Sequence, residues 1–194
     1  QGIVCAMYGN KQGQTYEKMM SARPSSALWG ESLWDYAVRV FSHKEVEDIL
    51  IGLQDDYHAN IDIILWCCWL EEEGIWLSRE SLDDVLITID TVNQETLIKI
   101  REVRRYLKDA GSFTQVQAKV ISKQLLNAEL MIEKVLVYRL QDLTRRFYEV
   151  LRDEENPLRL GYYFDFMRIP DAHQIAHLIR VATRHARTPA IQPG

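Results

Sequence analysis

The sequence predicts an all-α fold, a single-domain helical bundle of about six to seven helices. A buried central helix is expected at about residues 60–73 and a long helix at about 114–151. Three observations predict this fold. Apolar residues recur at three- and four-residue spacing from residue 30 onward, and helix-capping residues precede most of these stretches. No segment alternates between apolar and polar residues and then ends in a hairpin turn, as a half-buried strand would.

Two short helices are expected before the central one. Ser32 with Asp35, and Ser42 with Glu45, each fit a capping box, in which a hydroxyl and a carboxylate satisfy free amides of the first turn. Apolar residues follow each box at helical spacing. The sequence therefore predicts two amphipathic helices, each with one buried face.

The stretch NIDIILWCCWLEEEGIW predicts the central helix. Asn60 is a capping residue, and Gly74 ends the helix. The residues between them are apolar on every side, which favours a helix surrounded by its own domain. The apolar run is only about half of the roughly 20 residues that cross a bilayer. We interpret Cys67 and Cys68 as small core side chains, because a zinc site needs two spaced pairs of ligands.

Further helices are expected after Ser78, Asn93 and Thr114, which we interpret as caps. The long helix that follows Thr114 carries two adjacent rows of apolar residues. A stripe of this width predicts contact with more than one neighbour. A homodimer is one way to bury it.

The chain divides into three parts. We expect residues 1–29 to form a flexible N-terminal extension, part of which could be foreign to the natural protein, because polar residues, Gly and Pro dominate there without periodicity. Residues 30–151 are expected to form the helical core domain. In residues 152–194, the aromatic segment from Leu158 to Pro170 predicts a loop, and Asp171 caps a last helix that packs on the core.

Composition limits the classes of protein. Hydrophobic residues at 47% and charged residues at 26% are typical of a soluble globular chain. A net charge of -5 argues against nucleic acid and anionic membranes as partners. Three cysteines, two of them adjacent, make no disulfide framework, so we expect a cytoplasmic location. The chain has no phosphate-binding, dinucleotide or nucleophile motif, and we expect no cofactor.

The last predicted helix carries histidines and arginines with two interpretations each. His173 and His177 lie one turn apart and could grip a metal ion, but no third ligand is well placed, so exposed histidines and no metal site are preferred. Arg180, Arg184 and Arg187 either stabilise the helix dipole or meet an anionic partner. We prefer the first.

Glu129 and Glu133 lie one turn apart on the long helix. Paired carboxylates can hold two irons, but that site also needs Glu-x-x-His on partner helices, which the sequence lacks. If the preceding helix packs antiparallel to the long one, Arg101, Arg104 and Arg105 can pair with these glutamates. Such a network could also form the floor of an anion site.

Two functional hypotheses follow. The first is a non-enzymatic protein that binds another protein, favoured because capping alone explains Asn60 and Asp62. The second is a small-molecule or anion site, or an enzyme, with a pocket near the entrance of the central helix and the arginine-rich helix. The candidate ligand or partner site comprises Gln54, Asp55, Asn60, Asp62, Trp66, Trp69, Arg101, Arg105 and Glu129.

One stretch of sequence resembles a known family. Residues 33–74 contain a Leu-Gln-Asp element followed by an apolar helix that ends in Trp-Leu, carried here by Leu53, Gln54, Asp55, Asn60, Asp62, Trp69 and Leu70. This pattern resembles a bacterial family of uncharacterised proteins, domain of unknown function family 2390. IREVRRYLK at 100–108 and NAELMIEKVLVYRL at 127–140 are similar to later parts of that family. The resemblance covers about residues 31–143; it implies a small helical protein and no activity.

Overall fold

A computed structural model of the chain describes residues 29–109, 111–148 and 159–185. All regular elements in these ranges are helices, so the all-α fold class is confirmed. A π-helical turn, Asn93–Leu97, joins the fourth helix to the fifth. In chain order the helices are α1 Leu33–Phe41, α2 Lys44–Tyr57, α3 Ile61–Glu72, α4 Arg79–Val92, α5 Ile98–Asp109, α6 Gln115–Phe147, α7 Arg159–Phe166 and α8 Ala172–His185.

Helix α3 is the centre of the molecule, as the sequence predicts. All residues from Asp62 to Leu70 are buried. The helix contacts α1 and α2 from the preceding part of the chain and α6 and α7 from the following part. Its apolar surface on every side is therefore covered by neighbours on every side.

Four predicted caps are present. Asn60 Oδ1 accepts hydrogen bonds from the amides of Asp62 and Ile63 at 2.8 and 3.3 Å. The hydroxyls of Ser32 and Ser78 cap α1 and α4. Each bond satisfies an amide that the helix itself leaves free. At α6 the complete capping box forms, with Gln117 bonded back to the amide of its cap, Thr114.

Two predicted caps are wrong. Ser42 ends α1 instead of starting α2, and its hydroxyl donates to the carbonyl of Arg39 at 2.6 Å. His43 precedes α2 without a side-chain cap. Asn93 starts no separate helix, because the winding continues through the π-helical turn into α5. Asn93 is buried, and its side-chain amide has no hydrogen-bond partner in the described part of the chain.

The predicted aromatic loop is also wrong. Residues 159–166 form α7, which packs against α3 and α8. Tyr163 and Phe164 are fully buried, and Leu160 lies one turn before them on the same face. The segment is helical because this spacing buries three large side chains together. Helix α6 ends at Phe147, since Tyr148 is extended, and not at residue 151.

The predicted segments at the two ends of the chain lie mostly beyond the described residues. Residues 1–28, 149–158 and 186–194 are not among the described residues. They include Arg187 and most of the predicted N-terminal extension. Trp29 belongs to that extension and is described. Its ring meets Trp69 edge-on, with centroids 4.9 Å apart. This contact extends the apolar cover of α3.

Helix α5 and the first half of α6 form a projection, which we call the arm (residues 98–109 and 111–128). Leu107 is the one buried residue of α5, and the buried residues of α6 begin at Glu129. Helix α6 has 33 residues, a length of about 50 Å, and its later half packs on the body of the protein. All residues of its first half, 115–128, are exposed or only partly buried.

Candidate functional site

Two arginines of α5 pair with two glutamates of α6 at the base of the arm. Arg101 Nη2 donates to Glu133 at 2.8 Å, and Arg104 Nη1 lies 2.7 Å from both carboxylate oxygens of Glu129. The later arginine pairs with the earlier glutamate, so the two helices run antiparallel, as the predicted pairing requires. Arg105 has no ion pair with any described residue and is exposed.

Asp62 adds a third carboxylate, from the first turn of α3. Burial raises its pKa, the charge of Glu133 raises it further, and Arg101 opposes both effects. Burial likewise raises the pKa of Glu133 to about 7. We call Asp62, Arg101, Arg104, Glu129 and Glu133 the buried charge cluster. Its three carboxylates face two guanidinium groups, so the folded cluster holds a proton close to neutral pH.

This proton makes the stability of the fold dependent on pH. The ordinary pKa of a glutamate is 4.5 and that of folded Glu133 is about 7. The folded state therefore binds the proton more tightly than the unfolded state, and the stabilisation is complete below about pH 4.5 and lost as pH rises through about 7. We expect the free energy of unfolding to fall by about 2 kcal/mol between about pH 5 and pH 7. Urea unfolding followed by circular dichroism at each pH measures it.

Two glutamine variants test the source of this dependence. Glu133→Gln copies the protonated carboxyl, so it should keep the stability seen at acidic pH and reduce the slope, and Asp62, whose pKa burial also raises, accounts for the slope that remains. Glu102→Gln removes an exposed glutamate of α5 and should leave the slope unchanged. A full slope in Glu133→Gln would show that Glu133 is not the group that titrates.

Four predicted site residues line one shallow cleft. Gln54 and Asp55 of α2 face Arg101 and Arg105 of α5, with His58 beside them. The cleft has a volume of about 10 Å³, which leaves room for a single water molecule. Gln54 Oε1 and Arg101 Nε are buried and have no hydrogen-bond partner among the described residues. The sequence therefore predicts which residues meet here, although the cleft is small.

The other predicted site residues have structural contacts. Asn60 caps α3, and its backbone N–H donates to Tyr163 Oη at 2.8 Å. Trp66 Nε1 donates to Thr144 Oγ1 at 2.7 Å, and Trp69 Nε1 donates to the carbonyl of Glu31 at 3.0 Å. Each indole N–H is thus satisfied inside the protein. The predicted site residues therefore do not form one site: some line the cleft, some belong to the buried charge cluster and the two tryptophans lie in the core.

Cys67 and Cys68 lie in the core, and His173 and His177 lie on the surface. Cys67 and Cys68 are free and buried, and burial raises the pKa of both thiols, which keeps them protonated and unreactive. His173 and His177 are exposed on α8. In residues 29–109, 111–148 and 159–185, no three His, Cys, Asp or Glu side chains are grouped as metal ligands.

Glu71 is a structural centre that sequence reasoning missed. Its carboxylate accepts two hydrogen bonds from Arg180, at 2.6 and 3.0 Å, and a third from the amide of Leu160 at 3.0 Å. Arg180 therefore joins α8 to α3, whereas from the sequence we considered a helix dipole or an anionic partner for it and preferred the dipole. The partners are 109 residues apart, so no local pattern signals the pair.

The arm carries an uncovered apolar surface. Val116 is 73% exposed and Val120, one turn later on the same face of α6, is 56% exposed. Further exposed apolar side chains lie on α5, in the turn and along α6. With those two valines, the exposed apolar residues of the arm are Val103, Tyr106, Phe113, Val116, Val120 and Ile121, and we call them the arm surface.

These features define a helical-bundle protein with a buried central helix, a buried charge cluster and a projecting arm with an apolar surface. Residues 32–140, more than half of the chain, match the family model described as "Protein of unknown function (DUF2390)". The chain therefore belongs to the DUF2390 family, and the resemblance seen in the sequence is confirmed. Neither the curated proteins nor the solved structures contain a match. No helix within the described ranges is long and apolar enough to cross a membrane.

Proposed function

We propose that this protein is a non-enzymatic cytoplasmic protein that binds another protein through its arm. The observation that carries the proposal is the arm surface. Six apolar side chains of the arm are exposed, and Leu107 is the one buried residue among its described residues. Exposed apolar side chains on neighbouring elements are costly to leave in water, and such patches mark interaction sites on soluble proteins. The two free, buried cysteines suit the reducing cytoplasm.

The geometry of the arm supports this function. A helix pair that projects from the body offers its side chains to a partner without obstruction by other helices. Because α5 is fixed to α6 by two arginine–glutamate pairs, the arm meets a partner with little ordering cost. The cleft at its base has room for only about one water molecule, so the alternative, a small-molecule or anion site, has less support.

Matched aspartate variants test the proposal. The tagged chain is recovered from its native cells at native expression, beside Val116→Asp, Val120→Asp and Ile87→Asp. Ile87 of α4 is 56% exposed, as Val120 is, but lies outside the arm. We expect a stoichiometric partner with the natural chain and with Ile87→Asp, and loss of at least about 90% of it with either arm variant.

Thermal unfolding of each variant confirms that the fold is retained. Since all three positions are exposed, we expect the variants to unfold within a few degrees of the natural chain. Recovery of the natural chain alone, or equal recovery of the same partner by all variants, would contradict the proposal.

A further inference from the structure

The charge of the arm is opposite to that of the protein as a whole. Residues 98–128 contain seven lysines and arginines but only two acidic residues, Glu102 and Asp109, and so carry a net charge of +5, whereas the whole chain carries -5. Residues 29–97 contain sixteen acidic and three basic residues, a net charge of -13. The apolar surface thus lies on the basic part of an acidic protein.

Four of the seven cations of the arm are available to a partner. Arg101 and Arg104 are taken up by the glutamates of α6, and Lys99 pairs with Glu95. The remaining four are exposed and have no ion pair among the described residues; they are Arg105, Lys108, Lys119 and Lys123. No carboxylate of the described residues pairs with them, so a partner's carboxylates can do so.

On α6, the cations form a row beside the apolar row. Val116 and Val120 are four residues apart, and Lys119 and Lys123 are also four apart. Each lysine follows its valine by three residues, so the two rows are neighbours on the helix surface. The complement of such a surface is a helix with one apolar row and one row of glutamates or aspartates at the same spacing.

We propose that the partner of the arm is an acidic amphipathic helix, which places its apolar row on Val116 and Val120 and its carboxylates beside Lys119 and Lys123. This inference rests on the proposed function and specifies the partner's chemistry. A second copy of the chain fits less well, because two copies of an arm with a net charge of +5 would meet, and like charges at an interface are costly.

A pair of synthetic helical peptides tests the inference. Each has roughly 20 residues with leucines at helical spacing; one carries glutamates beside the leucines, and its twin carries lysines there. Fluorescence anisotropy of the labelled peptides measures binding to the full chain. We expect binding of the glutamate peptide, at least about tenfold weaker binding of the lysine twin, and weaker binding of the glutamate peptide as salt is raised.

Charge reversal on the protein provides the matched control. The double variant Lys119→Glu/Lys123→Glu should weaken binding of the glutamate peptide at least about tenfold and strengthen binding of the lysine twin. Arg184→Glu, an exposed residue of α8, should change neither. Circular dichroism melts verify that each variant is folded.

Several outcomes would overturn the inference. Equal binding of the two peptides, or no response to charge reversal, removes the acidic helix as the partner. Self-association of the natural chain in sedimentation that Val120→Asp abolishes assigns the surface to a second copy, and tight binding of a single-stranded RNA in place of the peptide assigns it to nucleic acid. If the cellular partner is lost from Val120→Asp but retained by the charge-reversed variant, the proposed function stands and the acidic helix is wrong.

Discussion

Replacement of Trp66 by alanine should lower the free energy of unfolding by about 3 to 5 kcal/mol, the cost of a large cavity in a close-packed core. Trp66 is fully buried in α3, the helix that contacts helices from both halves of the chain. Its indole N–H donates to Thr144 Oγ1, and that hydroxyl in turn donates to the carbonyl of Leu140 at 2.8 Å. The substitution therefore removes packing and a buried hydrogen bond together.

Three further variants separate these contributions. Trp66→Phe keeps most of the ring volume and loses the hydrogen bond, and Thr144→Val removes the acceptor, so each should cost about 1 to 3 kcal/mol. Trp34→Ala serves as the control, since Trp34 is only partly buried. We expect this variant to lose less free energy of unfolding than Trp66→Ala does. Urea unfolding measures all four. Equal losses for the two Trp→Ala variants would show that α3 is not the centre of the core.

Replacement of Glu129 by alanine should cost about 3 to 5 kcal/mol, because it leaves the paired arginine without its carboxylate. Glu129 is fully buried, and Arg104 contacts both of its oxygens. Arg101 Nε lies 3.9 Å from the same carboxylate and loses a nearby negative charge as well. We expect Arg104→Ala to be costly for the converse reason, since it leaves Glu129 buried and unpaired.

The double variant Glu129→Leu/Arg104→Leu should be close to the natural chain in stability, or more stable. A buried ion pair loses hydration on folding, and apolar side chains of similar volume often replace it at no net cost. A double-mutant cycle in urea measures the coupling between the two positions. The pair would be shown not to interact if the double variant lost the sum of the two single losses.

The sequence predicts those parts of the fold that depend on neighbours along the chain. Asn60 and Thr114 cap their helices because a cap needs only the next turn, and the apolar circumference of α3 indicates burial without any knowledge of its neighbours. Ser42 fits the same capping pattern but follows α1 so closely that its hydroxyl bonds backward to Arg39. The pattern cannot decide between two helices that compete for one side chain.

The candidate site shows the same limit. The spacing of arginines on α5 and glutamates on α6 predicts their pairing once the helices are antiparallel. Asp62 joins them only because α3 passes the same point, so its interaction with Glu133 has no signal along the chain. The pairing of Glu71 with Arg180 depends likewise on how three helices pack. The charge of the arm is readable from the sequence, but its exposure is not.

The central place of α3 also has a consequence for the order of events during synthesis. Its apolar residues are complete at residue 72, but Tyr163 and Phe164, which cover part of it, follow roughly 90 residues later. At ordinary elongation rates that interval is on the order of ten seconds. Throughout it the nascent chain presents a helix with no polar face, so chaperones that recognise apolar segments have their longest opportunity at α3.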